Sequence, residues 1–258
     1  MNKKKLKIGL VTYRGNPSSG GQGIYINYLS RALSDLGHEV TVISGPPYPE
    51  IRKDIKLVKI PSLDLFSKKN KFLDVKFSKL FSLNNLKEWI SANSGGFPEP
   101  HTFGPRLEKF IEENVGQFDV LHDNQTLCKE LISLQQKYPL VTTIHHPITK
   151  DLEFQLKSTN DFFLKLLIKR WHSFIPTQIK VAKKLKKIVV PSESSGKDVV
   201  KDFSLKGVSI EVVHNGIDLG FFYPSDKPYE DYKILSIESS DVPMKGLYLS
   251  LIHISYPT

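Results

Sequence analysis

Apolar residues in this chain fall into short blocks of two alternating kinds. Runs rich in β-branched residues at 6–13, 39–44, 55–60, 119–122, 140–145, 187–191 and 209–213 read as buried strands. Most of the intervening stretches carry apolar residues at helical spacing instead. Residues 22–36 are the clearest case: Ile26, Leu29, Leu33 and Leu36 form one stripe, and Gly37 follows where a helix would be capped. A Gly/Ser/Pro loop, 15–21, separates the first strand from this helix. Strands and helices in alternation predict an α/β fold, a Rossmann-like parallel sheet with helices on both faces. Ligands of such sheets bind outside the carboxyl ends of the strands.

Two stretches break the rhythm. Residues 66–90 mix Phe, Leu and Lys without a clean stop, and 161–187 hold Phe162, Phe163, Leu166, Leu167, Trp171 and Phe174 ahead of five lysines. Pro176 is expected to kink or divide the second stretch. Its apolar stripe is expected to face the core; the alternative is that it lies on an anionic membrane surface with its lysines towards the headgroups.

Composition adds bounds. In 258 residues, 40% hydrophobic and 10% aromatic, there is enough apolar surface for a full core. The single cysteine, Cys128, cannot close an internal disulfide, and the lysine-rich start leads into an apolar run too short for a signal segment or a membrane span. A cytoplasmic protein is therefore expected. The net charge of +9 favours an anionic partner. Nucleic acid is the least favoured such partner and none is expected, because no basic motif with interleaved stacking aromatics stands out.

Candidate chemistry gathers at predicted strand ends. In Ser18-Ser19-Gly20-Gly21-Gln22-Gly23, a glycine loop precedes a helix, where backbone N–H groups and the helix dipole favour phosphate. Ile26 stands where a dinucleotide fingerprint needs its third glycine, and no Gly-Lys-Ser/Thr follows, so a phosphate cradle and a plain turn both stay open. The glycines are expected to supply positive φ under either reading. Thr142-Thr143-Ile144-His145-His146-Pro147 ends another strand; alternation would send the two histidines to opposite faces, so that at most one lines a cleft. His122-Asp123-Asn124 ends a third, able to bond a carbohydrate or to cap a helix. No metal site is expected, since the histidine spacing and the lone cysteine do not supply a ligand set. Val212-Val213-His214-Asn215-Gly216-Ile217-Asp218 contains a tight turn; a linker begins at Pro224, and a new strand is predicted at 232–237.

Taken in order, the Gly-Gly helix ending in Leu-Gly-His-Glu-Val, then Thr-Ile-His-His-Pro, Val-Pro-Ser-Glu-Ser-Ser, His-Asn-Gly-Ile-Asp and Pro-Met-Lys-Gly resemble the retaining glycosyltransferases of family 4. The resemblance implies a GT-B fold of two Rossmann-like domains and transfer of a sugar from a nucleotide-diphosphate sugar to a glycan or lipid-linked acceptor. The donor is then a substrate, and no further cofactor is expected. It also implies the backbone of Gly21 and Gly20 near the donor phosphate, Lys245 on the diphosphate, and His145 as the catalytic-centre residue bonding the transferred sugar. Asn124, His146, Ser192 and Asn215 are the acceptor or sugar-binding candidates. Residues 1–224 would form the N-terminal domain and 225–249 the start of a truncated donor-binding domain, with 250–258 a non-native tail. Two departures stand out: Glu238-Ser239-Ser240-Asp241 replaces the usual Gly-Arg, and the donor domain's glutamate pair is missing. A sugar-nucleotide epimerase of the same architecture, or a non-catalytic half-domain binding an acceptor or an anionic membrane, are the alternatives. Localisation is expected to be cytoplasmic, peripheral on the inner membrane face if the acceptor is lipid-linked.

Overall fold

The seven strands expected between residues 6 and 213 all form in the computed structural model, which describes residues 4–18 and 20–224. They are β1 (Lys7–Thr12), β2 (Glu39–Ser44), β3 (Lys56–Lys59), β4 (Val120–Asn124), β5 (Leu140–Thr143), β6 (Lys187–Val190) and β7 (Ser209–Val212). Every pairing is parallel, in the order β3-β2-β1-β4-β5-β6-β7. The chain winds outward from β1 to β3, then crosses back to β4 and winds the other way. This leaves a topological switch point between β1 and β4, the place where doubly wound sheets hold their ligands.

Helices fill the crossovers: α1 (Gly21–Asp35), α2 (Leu83–Asn93), α3 (Glu99–Glu113), α4 (Leu131–Lys137), α5 (Thr149–Lys157), α6 (Phe162–Trp171), α7 (Ile175–Ala182) and α8 (Glu193–Phe203). Alternation along the strands sorts the core into two clusters. Ile8 and Leu10 of β1 and Val40 and Val42 of β2 pack against Ile26, Leu29 and Leu33 of α1. Val11, Ile43 and Leu121 turn to a larger cluster with Leu107 of α3, Leu134 of α4, Val181 of α7 and Phe203 of α8. Leu36, expected in the α1 stripe, is exposed, because the helix has already ended. Gly37 (φ 90°) donates to the Ser34 carbonyl and His38 to that of Leu33, the paired bonds of a Schellman stop.

Two strand ends differ from expectation, and both matter for the site. β4 runs on through His122, Asp123 and Asn124, so this cluster lies within the sheet and caps no helix. β5 stops at Thr143, two residues early. The 161–187 stretch divides, as Pro176 requires, into α6 and α7, with Pro176 in the first turn of α7 where its missing N–H costs no bond. Only α7 faces the core. α6 buries no residue at all, which corrects the expectation of a core-packed stripe. The 66–90 stretch becomes a few short 3-10 turns and α2, fastened by Glu88: its carboxylate accepts from Leu63 N (3.0 Å) and pairs with Arg106 (2.5 Å).

Candidate functional site

A cavity of about 570 Å³ opens at the switch point, walled by Tyr13, Arg14, Asn16, the 20–23 turn, Tyr25, Gln125, His145, His146, Ile148, Asp151 and Asn215. One wall is the start of α1. Its N-cap, Gly20, offers no side chain, and no acidic residue sits in the first turn, so neither caps the helix's N–H groups nor offsets its positive dipole end.

The three glycines of this turn are glycines for different reasons. Gly20 has φ 74°, the positive value expected of the loop. Gly23 does not: a Cβ there would run into the carbonyl oxygens of Gly15 and Asn16, so close packing of the loop on the helix is what demands it. Gly21 has neither constraint, since φ is not positive and a Cβ would meet nothing within 4 Å. The fold itself does not require a glycine at 21. A ligand approaching the backbone from the cavity would favour one.

His145 and His146 both line the cavity, contrary to the expectation that only one could. Strand alternation no longer applies beyond Thr143. Gln125 instead holds this segment: its Oε1 accepts from His145 N (2.7 Å) and its Nε2 donates to the His146 carbonyl (2.9 Å). Its own backbone is left-handed, φ 51°, a strained state for a residue with a side chain and of the kind found at functional loops.

Hydrogen bonding fixes the state of His145. Asn124, fully buried, donates through Nδ2 to the Gln22 carbonyl (3.4 Å), an acceptor only, so its Oδ1 is the atom that faces His145 Nε2 at 2.7 Å. Nε2 must therefore carry the proton, leaving Nδ1 as an acceptor with no partner among the described residues. Burial, and then the neighbouring His146, push the His145 pKa down to about 4, so the ring is neutral near pH 7. Tyr25 stacks edge-on against it, centroids 4.6 Å apart. Beneath lies His122, its Nε2 2.7 Å from Thr143 Oγ1, which also meets Tyr25 Oη at 3.2 Å. His122 is likewise pushed to about 4, first by burial and then by His145.

The remaining candidates separate. Asn215 lines the cavity. Asn124 is not among the cavity-lining residues; it holds two that are, His145 and the Gln22 carbonyl, from behind. Ser192 caps α8, its Oγ accepting from Ser195 N (3.1 Å), and is not among the cavity-lining residues. His146 pairs with Asp151 (2.9 Å) at the rim. Lys245 lies outside the described residues, as does the strand expected at 232–237.

Several cavity residues carry no local sequence signal. Arg14 follows β1 directly, with its guanidinium 3.3 Å from Glu99 Oε2, though without hydrogen-bond alignment, and 5.8 Å from the Phe97 ring centre. Burial pushes the Glu99 carboxyl up to about 7 despite Arg14. Partners so far apart in the chain become visible only in the fold. Tyr25 could have been found: it stands four residues after Gly21 and so shares that glycine's face of α1.

A parallel sheet in this strand order, with an uncapped helix start and a neutral imidazole meeting at its switch point, is the N-terminal half of a GT-B fold. Sucrose-phosphate synthase from Thermosynechococcus elongatus shares that fold, with a TM-score of 0.52 at 16% identity over 84% of this chain and 50% of its own. The chain belongs to Glycosyltransferase Family 4, whose model matches residues 19–221. It is 37% identical over 244 residues to an MMP alpha-(1->4)-mannosyltransferase of Mycolicibacterium hassiacum, covering 94% of this chain. It is 25% identical over 264 residues to a phosphatidyl-myo-inositol mannosyltransferase of Mycolicibacterium smegmatis, covering 95%. The chain spans 59% and 54% of the lengths of these two relatives.

Proposed function

We propose that this chain is the acceptor-side half of a retaining glycosyltransferase that takes a sugar from a nucleotide-diphosphate donor, and that mannose is the sugar transferred. The observation that carries the reading is Gly21, a glycine on the cavity wall at an uncapped helix start, with no structural need to be one. Its N–H and those beside it would bond the donor's phosphate oxygens. In the reaction the bond between the anomeric carbon and the phosphate oxygen breaks, and the acceptor hydroxyl attacks from the same face. The departing phosphate takes the hydroxyl proton, leaving a nucleoside diphosphate. Negative charge builds on that leaving group, and fixed N–H dipoles stabilise it without reorganising.

His145, neutral and protonated on Nε2, has its Nδ1 free to accept from a hydroxyl of the transferred sugar; it orients the donor and does not act as an acid. Residues 225–249 would open the donor-binding half, with Lys245 on the diphosphate. Family membership and the two mannosyltransferase relatives support the sugar and the reaction class. The acceptor is a glycan or a lipid-linked glycan, and the protein works on the cytoplasmic side, peripheral to the membrane when the acceptor is lipid-linked. No helix among the described residues is long and apolar enough to cross a membrane.

The test is a titration of the chain with a guanosine or uridine diphosphate, followed by backbone amide shifts. Shifts confined to residues 20–23 and His145, and lost in Gly21→Val, are expected. Shifts elsewhere, or a Gly21→Val response equal to that of the native chain, would sink the phosphate assignment. Retention would then be read from the anomeric configuration of the product.

A further inference from the structure

α6 presents Phe162, Phe163, Leu164, Leu166 and Leu167 to solvent, with Phe163 75% exposed. The helix is fastened near its C-terminal end: Arg170 donates to Ser94 Oγ (2.8 Å) and Ser91 Oγ (3.2 Å) at the end of α2, and Trp171 packs on Phe66 and Phe97. Leu167 approaches Gly95 just beyond. The segment it is fastened to repeats the pattern, with Phe72, Leu73, Phe77, Phe81 and Leu83 exposed. Single exposed apolar residues are ordinary on protein surfaces, but ten on two segments fastened to each other call for an occupant.

The charges interleaved with these residues identify it. Residues 66–90 and 161–171 hold nine lysines and arginines against three carboxylates, and one of the three, Glu88, is buried on Arg106. Lys69, Lys76, Lys79, Lys87 and Lys169 are exposed beside the rings. A second copy of the same face would bring like charges together. An anionic phospholipid surface would meet both features at once, since a basic apolar helix lies at the headgroup boundary with its rings inserted and its lysines on phosphate.

We propose that α6 and the 66–90 segment together dock this protein on an anionic phospholipid membrane. Trp171 at the end of α6 stacks on Phe97 (5.1 Å between centres), and the cavity residue Arg14 lies against that same ring. The docked face and the cavity wall thus share Phe97, so docking turns the cavity's Arg14 side towards the lipid. This last step rests on the transfer reading; the docking does not.

The experiment is co-sedimentation of the full 258-residue chain, without nucleotide, with vesicles of phosphatidylcholine alone or mixed with phosphatidylglycerol, at low and high salt. Binding only to the mixed vesicles, weakened by salt, is expected. Phe163→Ser with Leu167→Ser should lower it about ten-fold or more. Lys165→Gln and Lys169→Gln should lower it about five-fold each. All four positions are at least partly exposed, so the variants should keep the native circular dichroism. No binding, equal binding to both vesicles, or binding unchanged in the variants would overturn the proposal. So would self-association that Phe163→Ser/Leu167→Ser abolishes without any vesicle binding, which would assign the face to a second copy. Failure here leaves the phosphate site standing, while docking without diphosphate shifts at Gly20 and Gly21 would fail the transfer reading alone.

Discussion

Two regions of this domain invert the usual placing of polar and apolar groups, in opposite directions. At the carboxyl ends of β1, β4 and β5, the side chains of Thr12, Asp123, Asn124, Gln125 and Thr143 are buried. On α6, Phe162, Phe163 and Leu167 stay in water. The first inversion is closed within the chain, because these polar groups find partners in one another or in the backbone. The second has no such closure. A buried polar group that is satisfied internally positions chemistry, whereas an exposed apolar group with no internal partner needs something outside the chain. Substitutions should therefore cost stability in the first region and binding in the second.

The largest effect is expected at Asp123. Its carboxylate accepts from Thr126 Oγ1, from Thr126 N (3.2 Å) and from Leu127 N (3.4 Å), all inside the protein. Asp123→Ala strands these donors away from water and should cost about 3–5 kcal/mol. Thermal unfolding would show a drop in Tm of roughly 10 °C. A change below about 1 kcal/mol would mean that the loop relaxes to water and that the buried polar region is less closed than described.

Asn124→Ala comes next, at about 1–3 kcal/mol, because the proton on His145 Nε2 and the Gln22 carbonyl lose their partner. The sharper readout is the imidazole itself. Its nitrogen shifts should move from a fixed Nε2–H form to a mixture of tautomers as the ring loses its fixed partner. Asn124→Asp keeps the acceptor oxygen and should restore the Nε2–H form. If the tautomer does not change in the alanine variant, Asn124 is structural only.

How the sequence expressed these two regions differs for a physical reason. Strand order follows from local periodicity, so β1 to β7 were readable to within a residue or two. The glycine turn and His145 stood out because phosphate binding and imidazole chemistry use local residue types. Asn124 could be placed near the site but not given its role, since that depends on Gln22, 102 residues earlier, and on His145, 21 later. The exposure of α6 was misread for a related reason. Its apolar spacing resembles that of α7, and spacing tells which residues share a face but not what lies opposite. α7 meets Thr126 and the core through Gln178 and Val181, whereas α6 touches its neighbours chiefly near its C-terminal end, through Leu167, Arg170 and Trp171.

A pH titration sharpens the comparison within the cleft. Burial raises the carboxyls of Glu99 and Asp123 to about 7 and that of Glu130 in the same direction, so above their ordinary range the folded state holds extra protons and stability falls as pH rises. Burial lowers His101, His122 and His145, so up to their ordinary value near 6.5 the folded state holds fewer protons and stability rises with pH. The raised carboxyls and the lowered imidazoles oppose each other, so the native chain should show a shallower slope between about pH 4.5 and 6 than either set alone would give. Glu99→Gln removes one carboxyl and should unmask a rise of at most about 1.4 kcal/mol per pH unit. A slope unchanged from the native chain would place the Glu99 proton in both states alike.

The smallest effect is expected at Leu167. A leucine in a packed helix costs about 2–5 kcal/mol when cut to alanine, because its contacts are lost and a cavity remains. Leu167 is 55% exposed, so Leu167→Ala leaves no cavity and removes little buried surface. Stability by denaturant unfolding should stay within about 0.5 kcal/mol. A leucine is normally kept for the core it fills, so near-neutrality here would separate its presence from folding and leave binding as its use. A loss of about 2 kcal/mol or more would instead mean that α6 packs like α7 in solution, and the contrast between the two helices would disappear.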